Sequence, residues 1–329
     1  MKQKHLTPLG RLRRQRQFVT RALTQYPIDF DRVDLISTAT NFIYRARDAE
    51  GGIYALRLTA PWWRTEDNLR AEVAWLRALA RDTDLALPKI VESAEGESYI
   101  RLHDRRLNTQ RRAVLMTWLP GMLLAKRLNH RNVRKMGELF AKLHVHARSW
   151  SLPRDFPQIA FTGFLGRNEP NLLFDDRYGG CLPPHVREVL AAARHCANRA
   201  YRSKNSDDLC VIHCDLWHEN IKIYRGELAP IDFEDTVLGY REHDIAMGLL
   251  DLAEDVSNQT YKSYLESFVG GYERVAPYPK SDILPFQLGR ILWQLNRTAQ
   301  FAPERLPAAA QSKAVILAHA LDTGRLRIH

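Results

Sequence analysis

Acidic residues are absent from the first 28 positions of this 329-residue chain, although the whole sequence contains 38 aspartates and glutamates against 48 lysines and arginines. A basic cluster of this kind gains affinity for nucleic acids through counterion release. Aromatic residues do not interleave with the basic run, however, and five apolar residues share one helical face: Leu9, Leu12, Val19, Ala22 and Leu23. We therefore expect a solvated basic helix within residues 1–27, packed on the N-terminal domain. A nucleic-acid site and a mitochondrial transit peptide are the less favoured alternatives.

Long hydrophobic runs are also absent. The longest candidate, AVLMTWLPGMLLA, is interrupted by Pro120 and Gly121, so we expect no membrane-spanning helix. The N-terminus lacks the apolar core of a secretory signal. The four cysteines form no CxxC pair, which argues against a disulfide framework. These absences predict a cytoplasmic protein with reduced thiols, and the length predicts two domains.

The most informative stretch, residues 209–235, reads LCVIHCDLWHENIKIYRGELAPIDFED. A short apolar strand places Asp215 on a loop, and Asn220 then opens a second strand. A turn at Arg225-Gly226 returns the chain to Asp232. If the hairpin pivots on Gly226, Asn220 and Asp232 face each other, whereas a two-residue turn shifts this pairing by one position.

These side chains match the needs of phosphoryl transfer. A carboxylate at Asp215 can orient a hydroxyl and accept its proton, while Asn220 and Asp232 offer the oxygen ligands that Mg²⁺ prefers. The alternative is a plain hairpin with polar ends, which accounts for each residue taken alone. The ordered set His213, Asp215, Asn220 and Asp232 favours the phosphoryl-transfer site.

The segments HCDLWHEN and IDFED resemble the HGDLHxxN and IDF[DE] motifs of the aminoglycoside phosphotransferase and choline kinase-like superfamily, a branch of the protein-kinase fold. The following GYREHDIA is similar to a third motif of that superfamily. The resemblance implies that Asp215 is the catalytic base, that Asn220 and Asp232 hold Mg²⁺, and that Asp244 supports the catalytic loop. His213 belongs to the same catalytic motif, and Cys214 replaces its usual glycine.

The resemblance also implies an α+β, bilobal protein-kinase-like fold. The expected N-lobe, residues 1–118, has a small antiparallel sheet with a helix. The expected C-lobe, residues 119–329, is larger and mainly helical and contains the catalytic β-hairpin. ATP and Mg²⁺ are the implied cofactors.

The predicted nucleotide-covering hairpin lacks glycine at its tip, STATN, so the GxGxxG fingerprint of ordinary protein kinases is missing. Ser37, Thr38 and Asn41 are the candidates for contacts with phosphate, and a plain turn is the alternative. Residues Met116, Thr117 and Trp118 are expected by resemblance to line the adenine pocket, although a buried strand end has the same pattern.

Arg57 stands where the family usually has a phosphate-binding lysine. Glu72 falls within the apolar stripe of a helix predicted from Thr65 to Arg81, and a buried carboxylate needs a partner. Arg57 on the neighbouring strand is the expected partner. The alternative is a Glu72 at the edge of the stripe, paired with a surface arginine.

Eight carboxylates lie between residues 232 and 255, against a single arginine. This charge predicts either an acceptor site for a cationic substrate, with Glu234 and Asp235 facing the cleft, or a solvated helix face. Trp293 and Asn296 are weaker candidates for the wall of the acceptor site. Residues 153–184 either shape the substrate site or form a long surface connection.

The favoured function is an ATP- and Mg²⁺-dependent transfer of the γ-phosphoryl group to a hydroxyl of a small molecule. A bacterial Ser/Thr protein kinase is the alternative, although Trp217 stands where such kinases usually have lysine. A nucleotide-binding pseudokinase or scaffold is the third hypothesis, motivated by Arg57 and the missing glycine loop. Neither a membrane nor a nucleic acid is the expected partner, and the sequence leaves the oligomeric state open.

Overall fold

The computed structural model describes residues 7–329, and the chain forms two compact units, residues 1–120 and 121–329. The predicted basic helix at 1–27 is observed as α1, Pro8–Leu23, and positions 1–6 lie outside the described residues. Within the described part of the chain, no helix has the length and apolar character needed to cross a membrane.

The first unit contains one antiparallel sheet flanked by two helices. Its elements after α1 are β1 (Phe30–Ser37), β2 (Phe42–Asp48), β3 (Ile53–Leu58), α2 (Glu66–Asp82), β4 (Ile100–Asp104) and β5 (Thr109–Thr117). The strand order is β1-β2-β3-β5-β4, and each neighbouring pair is antiparallel. Two consecutive hairpins therefore place β3 at the centre of the sheet, beside β5.

Helix α1 packs on this sheet through its second half only. Its residues Phe18, Val19 and Ala22 are buried together with apolar residues of the sheet, whereas Leu9 and Leu12 are 58% and 38% exposed. The predicted packing of α1 on this domain is therefore observed for Val19, Ala22 and Leu23, whereas Leu9 and Leu12 do not share in it. Polar contacts hold this end instead: Arg14 pairs with Asp104, and Gln15 accepts a hydrogen bond from Arg111 at 2.9 Å.

The second unit is mainly helical. Its helices are α3 (His130–Ser149), α4 (Asp176–Gly179), α5 (Pro184–Arg202), α6 (Arg241–Asp255), α7 (Asn258–Tyr272), α8 (Leu284–Phe301) and α9 (Leu306–Thr323). Its short strands are β6 (Met122–Leu123), β7 (Ala160–Phe161), β8 (Cys210–Ile212), β9 (Ile221–Tyr224), β10 (Glu227–Pro230) and β11 (Val237–Gly239). They form two small sheets, β10-β9-β6 and β7-β11-β8. Leucines of α5, α8 and α9 form a buried cluster beside them.

The β9–β10 hairpin has a two-residue turn. Tyr224 pairs with Glu227, so Arg225 and Gly226 form the turn, with φ angles of 52° and 85° that are typical of a type I′ hairpin. The amide of Ile231 donates to the carbonyl of Asn220 at 2.9 Å. The alternative in which the hairpin pivots on Gly226 is therefore wrong, and Asn220 faces Ile231 instead of Asp232.

The close crossing of α3 and α7 gives a stability prediction. A Cβ added at Gly271 would lie 1.9 Å from the carbonyl oxygen of Arg134, whereas one added at Gly270 meets nothing within 4 Å. Because Arg134 contributes backbone atoms that cannot rotate away, Gly271→Ala should destabilise the fold by about 1–3 kcal/mol or more. Gly270→Ala should instead be neutral or stabilising by up to about 1 kcal/mol, since alanine favours a helix. Urea unfolding of both variants checks this, and equal stabilities would contradict it.

Candidate active site

Asp215 lies on the loop that follows β8, and both oxygens of its carboxylate are held. Nη2 of Arg290 donates to Oδ1 at 3.2 Å, and Nδ2 of Asn220 donates to Oδ2 at 2.9 Å. The same Asn220 nitrogen donates to the backbone carbonyl of Asp215 at 2.8 Å. The side chain keeps 27% of its surface exposed, so the carboxylate is both oriented and open to solvent.

Asp244 of α6 supports the loop of residues 213–220 through hydrogen bonds to the backbone of the loop. Its fully buried carboxylate accepts hydrogen bonds from the amides of His213 (3.0 Å) and Cys214 (2.6 Å). Burial alone would raise the pKa of Asp244, but His144, at 3.3 Å, and the loop amide lower it below its usual range. Asp244 is therefore a charged support for the loop that presents Asp215, in the position that the motif predicts.

His213 is a supporting residue in this structure. Its ring is completely buried, its Nε2 lies 3.1 Å from the carbonyl oxygen of Ile231, and it packs on Phe233 with ring centroids 4.6 Å apart. These contacts connect the loop to the end of β10. The catalytic role predicted for His213 becomes one of holding the loop and the hairpin together.

Cys214 has a left-handed backbone, with φ of 62°. Only glycine adopts this conformation without strain, which explains why the related motif has glycine at this position. The thiol lies 3.6 Å from Nε2 of His243, and burial raises the pKa of Cys214 to about 12. The thiol is therefore protonated and inert at neutral pH.

The two predicted metal ligands flank the open end of the hairpin: Asn220 directly precedes β9, and Asp232 follows Ile231, whose amide bonds to the carbonyl of Asn220. Asn220 uses only Nδ2 in its hydrogen bonds to Asp215, so its amide oxygen is available to a cation. Asp232 has a left-handed backbone, with φ of 64° and ψ of 57°, and begins the 3₁₀ turn Phe233–Asp235. An amide oxygen and a carboxylate form a donor set that suits Mg²⁺, which fills its remaining positions with water and phosphate oxygens.

The predicted substrate residue Asp235 has another partner. The guanidinium of Arg167 donates to its backbone carbonyl at 2.9 Å and lies 3.6 Å from its carboxylate. Arg167 and Asp235 are both almost fully buried. This ion pair compensates much of the charge of Asp235, and its role toward a cationic acceptor stays a prediction. Glu234 is also buried, at 8% exposure.

The alternative of a solvated acidic face holds only for the end of α6, where the Asp255 side chain is 50% exposed, because residues 242–253 of this helix are all buried. Most of its carboxylates have cationic partners. Glu242 lies 2.5 Å from Lys204, Glu254 pairs with Lys313, and Asp255 lies 2.6 Å from Nε2 of His218. The acidic run therefore serves mainly to hold the second unit together.

Asp251 is the exception on α6. It is 8% exposed, and no hydrogen bond to its carboxylate is found within residues 7–329. Burial raises the pKa of Asp251 to about 7, Arg290 opposes this shift, and the negative charges of Asp215, Glu254 and Asp255 reinforce it. Neither Asp251 oxygen is among the fully buried side-chain atoms that lack a partner, so the carboxylate keeps some contact with solvent while it lies in the electrostatic neighbourhood of Asp215. It is therefore a candidate partner for a cationic ligand.

Helix α8 supplies Arg290 and anchors the loop before α4. Nε1 of Trp293 donates to Glu169 at 2.8 Å. Oδ1 of Asn296 accepts hydrogen bonds from the amides of Leu172 and Leu173, at 2.8 and 2.9 Å. Trp293 and Asn296 therefore hold residues 169–173 of the predicted loop region, as structural side chains.

In the first unit, Arg57 and Glu72 form the predicted ion pair. Nη1 of Arg57 donates to Oε1 of Glu72 at 2.9 Å, Nη2 bonds to Oε2, and both residues are almost completely buried. A capping box between Thr65 and Asn68 fixes the start of α2 and thereby the register of Glu72. The alternative of a surface arginine as the partner is wrong.

The predicted phosphate-loop residues differ in their exposure. Thr38 is exposed at the tip between β1 and β2, and Ser37 is partly buried at the end of β1. Asn41 is buried, and its Oδ1 accepts a hydrogen bond from the amide of Ala60 at 3.1 Å. Asn41 therefore holds the sheet together, which leaves the tip itself as the candidate for phosphate contacts.

The residues predicted to line the adenine pocket lie at the end of β5 and directly after it. Met116 is buried opposite Ala55. The amides of Thr117 and Trp118 donate to the carbonyls of Lys89 and Ile53, each at 2.9 Å. These two amides are therefore engaged within the first unit and are not the donors for a base edge.

The model of the phosphotransferase enzyme family matches residues 34–278, so the chain belongs to this family. The predicted family and its enzyme class, a phosphotransferase, are confirmed. One curated relative is homoserine kinase of Neisseria meningitidis serogroup B (strain ATCC BAA-335 / MC58), 27% identical over 144 residues, which are 43% of each protein. Another is amicoumacin kinase of Bacillus subtilis (strain 168), 22% identical over 245 residues, with 72% of this chain and 68% of the relative covered.

Solved structures confirm the fold. An amicoumacin kinase in complex with AMP-PNP and Ca²⁺ superposes with a TM-score of 0.77 at 17% identity, covering 95% of this chain and 94% of that one. A microcompartment-associated aminopropanol kinase gives a TM-score of 0.77 at 19% identity, covering 95% and 99%. Spectinomycin phosphotransferase with ADP gives 0.60 at 11% identity, covering 93% and 98%. The chain thus has the predicted protein-kinase-like bilobal fold.

Proposed function

We propose that this protein is an ATP- and Mg²⁺-dependent kinase that phosphorylates a hydroxyl group of a small, amine-bearing acceptor. One observation carries the proposal: the Asp215 carboxylate is held at both oxygens, is partly exposed, and shares Asn220 with the candidate metal site. Phosphoryl transfer depends mainly on positioning and charge stabilisation, and this arrangement supplies both.

In the proposed reaction, Asp215 orients the acceptor hydroxyl and accepts its proton as the oxygen attacks the γ-phosphorus. The bond from the γ-phosphorus to the bridging oxygen breaks, and ADP leaves. Asn220 and Asp232 would hold Mg²⁺, which would supply positive charge to neutralise the transferred phosphate. Arg57 is the candidate to contact the nucleotide phosphates, and its bidentate pair with Glu72 holds its side chain in one orientation. AMP-PNP and ADP in the similar structures support a nucleotide as the phosphoryl donor.

The acceptor class is supported by two independent observations. Homoserine and aminopropanol, named in two of the similar kinases, are small molecules that carry both a hydroxyl and an amine. Asp251 provides a largely buried carboxylate whose oxygens keep some contact with solvent and have no hydrogen-bond partner in the described part of the chain, in the electrostatic neighbourhood of Asp215. Because an ammonium group would pair with this carboxylate, we assign Asp251 to the acceptor site in addition to the earlier candidates Glu234 and Asp235.

The test is an assay of ADP release with a panel of acceptors, each with Mg²⁺ and with excess EDTA. The panel contains L-homoserine, 1-amino-2-propanol, choline, kanamycin and casein, with 1,2-propanediol as the matched compound that lacks the amine. We expect Mg²⁺-dependent ADP release with an amine-bearing small molecule, and none above background with 1,2-propanediol or casein. Binding of MgATP in a thermal-shift assay without turnover on any acceptor would contradict the proposal and favour a pseudokinase.

A further inference from the structure

The loop that carries Asp215 supplies no cation of its own. Its sequence from His213 to Asn220, HCDLWHEN, contains neither lysine nor arginine. The cation next to Asp215 comes instead from α8, 75 residues further along the chain, where Nη2 of Arg290 lies 3.2 Å from Oδ1. A distant helix therefore completes the environment of the proposed base.

The position of Arg290 is itself fixed. Its guanidinium carbon lies 4.1 Å from the centroid of the Trp293 ring, and Trp293 is held by its 2.8 Å hydrogen bond to Glu169. Burial alone would lower the pKa of Arg290, but the charges of Asp251 and Asp215 raise it. Arg290 is thus a permanently charged group, 11% exposed, that is stacked in one orientation.

We infer that Arg290 is a positioning residue, which together with Asn220 fixes the plane of the Asp215 carboxylate for proton transfer. The two residues hold opposite oxygens of the same carboxylate, so rotation about its terminal bond breaks at least one charge-assisted hydrogen bond. The inference rests on the proposed function, because it assigns a role relative to Asp215 as the base. A displacement of about 1 Å in such a group lowers turnover by about 100-fold.

A purely structural role for Arg290 gives different expectations. Asp251 contributes the largest attractive charge on Arg290, so the arginine also serves as its buried counter-charge. Removing Arg290 alone leaves Asp251 without this compensation and destabilises the fold. Arg290→Met combined with Asp251→Asn removes both charges together. Comparing the double variant with Asp251→Asn alone separates loss of stability from loss of positioning, because both proteins carry the same change at the proposed acceptor residue.

The experiment compares Arg290→Met, Arg290→Lys, Asp251→Asn and the double variant with the wild type, using 1-amino-2-propanol or whichever other panel acceptor is turned over. We expect Arg290→Met to lower kcat by about 100-fold or more with the Kd for MgATP, measured calorimetrically, changed by less than about threefold. Arg290→Lys should regain at least about tenfold of this loss. The double variant should regain the Tm lost in Arg290→Met, while its kcat should stay about 100-fold below that of Asp251→Asn alone.

Arg297→Met is the matched control, because Arg297 lies on the same helix and over the same Trp293 ring, at 5.1 Å. It should leave kcat unchanged. Recovery of kcat in the double variant to the value of Asp251→Asn, or wild-type kcat in Arg290→Met, would overturn the inference.

A crystal structure of Arg290→Met gives a readout that needs no turnover: we expect a changed or disordered Asp215 side chain on an unchanged loop. An Asp215 side chain in its wild-type position would overturn the inference even if the proposed activity were also found to be wrong.

Discussion

Asp215→Ala should lower turnover by about three orders of magnitude or more and leave the affinity for MgATP within about threefold of the wild type. The substitution removes the only group proposed to orient the acceptor hydroxyl and accept its proton, and general-base catalysis typically contributes about 10²–10⁴-fold. Asn220 and Asp232 remain as the candidate metal ligands, so nucleotide binding should persist. ADP release and calorimetric titration with MgATP measure the two quantities.

Two further variants make this result specific. Asp215→Asn keeps the volume of the side chain but removes its basicity, so its turnover should fall nearly as far. Asp207→Ala changes an exposed carboxylate shortly before β8 and should have no effect. Wild-type turnover in Asp215→Ala would remove this residue from the mechanism. A loss of MgATP affinity equal to the loss of turnover would assign Asp215 to nucleotide binding instead.

The candidate site residues that the sequence analysis brought together lie close to one another along the chain. Asp215, Asn220 and Asp232 lie within 18 consecutive positions, and a strand-loop-hairpin of that length has few ways to arrange them. The pair of Arg57 and Glu72 followed from a physical requirement, because a carboxylate in an apolar stripe needs a cation and β3 offered one. Both arguments use interactions between elements that are adjacent in the chain.

The parts that the sequence did not predict depend on packing between distant segments. Arg290 reaches Asp215 only because α8 packs against α6, and its own sequence neighbourhood carries no signal of this role. The contact between Asp235 and Arg167, which lies 68 residues away in a loop, also had no signal in the sequence. The residue that faces Asn220 likewise depended on whether the hairpin pivots on Gly226 or has a two-residue turn. The two turns differ by one position in the cross-strand partner of every residue in the hairpin.

Asp251→Asn should produce a gain in stability that depends on pH. In the folded protein, burial and nearby negative charge raise the pKa of Asp251 from 3.8 to about 7, against the attraction of Arg290. A group with a raised folded-state pKa stabilises the fold fully below its unfolded-state pKa, and this contribution is lost as the pH rises to the folded-state value. Asparagine resembles the protonated carboxyl and does not ionise. The variant should therefore match the wild type near pH 3.5 and become increasingly more stable up to about pH 7, above which the difference levels off.

A shift of about three pKa units corresponds to about 4 kcal/mol at the plateau, so thermal or urea unfolding between pH 4 and pH 8 will resolve it. Leu252→Ala is the control on the same helix: this fully buried side chain does not titrate, so its loss should destabilise the fold by about 2–5 kcal/mol at every pH. A difference between Asp251→Asn and the wild type that stays constant from pH 4 to pH 8 would show that Asp251 titrates as an ordinary aspartate. The buried negative charge proposed to attract an acceptor ammonium group would then already be compensated within the folded protein, and the recognition of a cationic acceptor would have to depend on other residues.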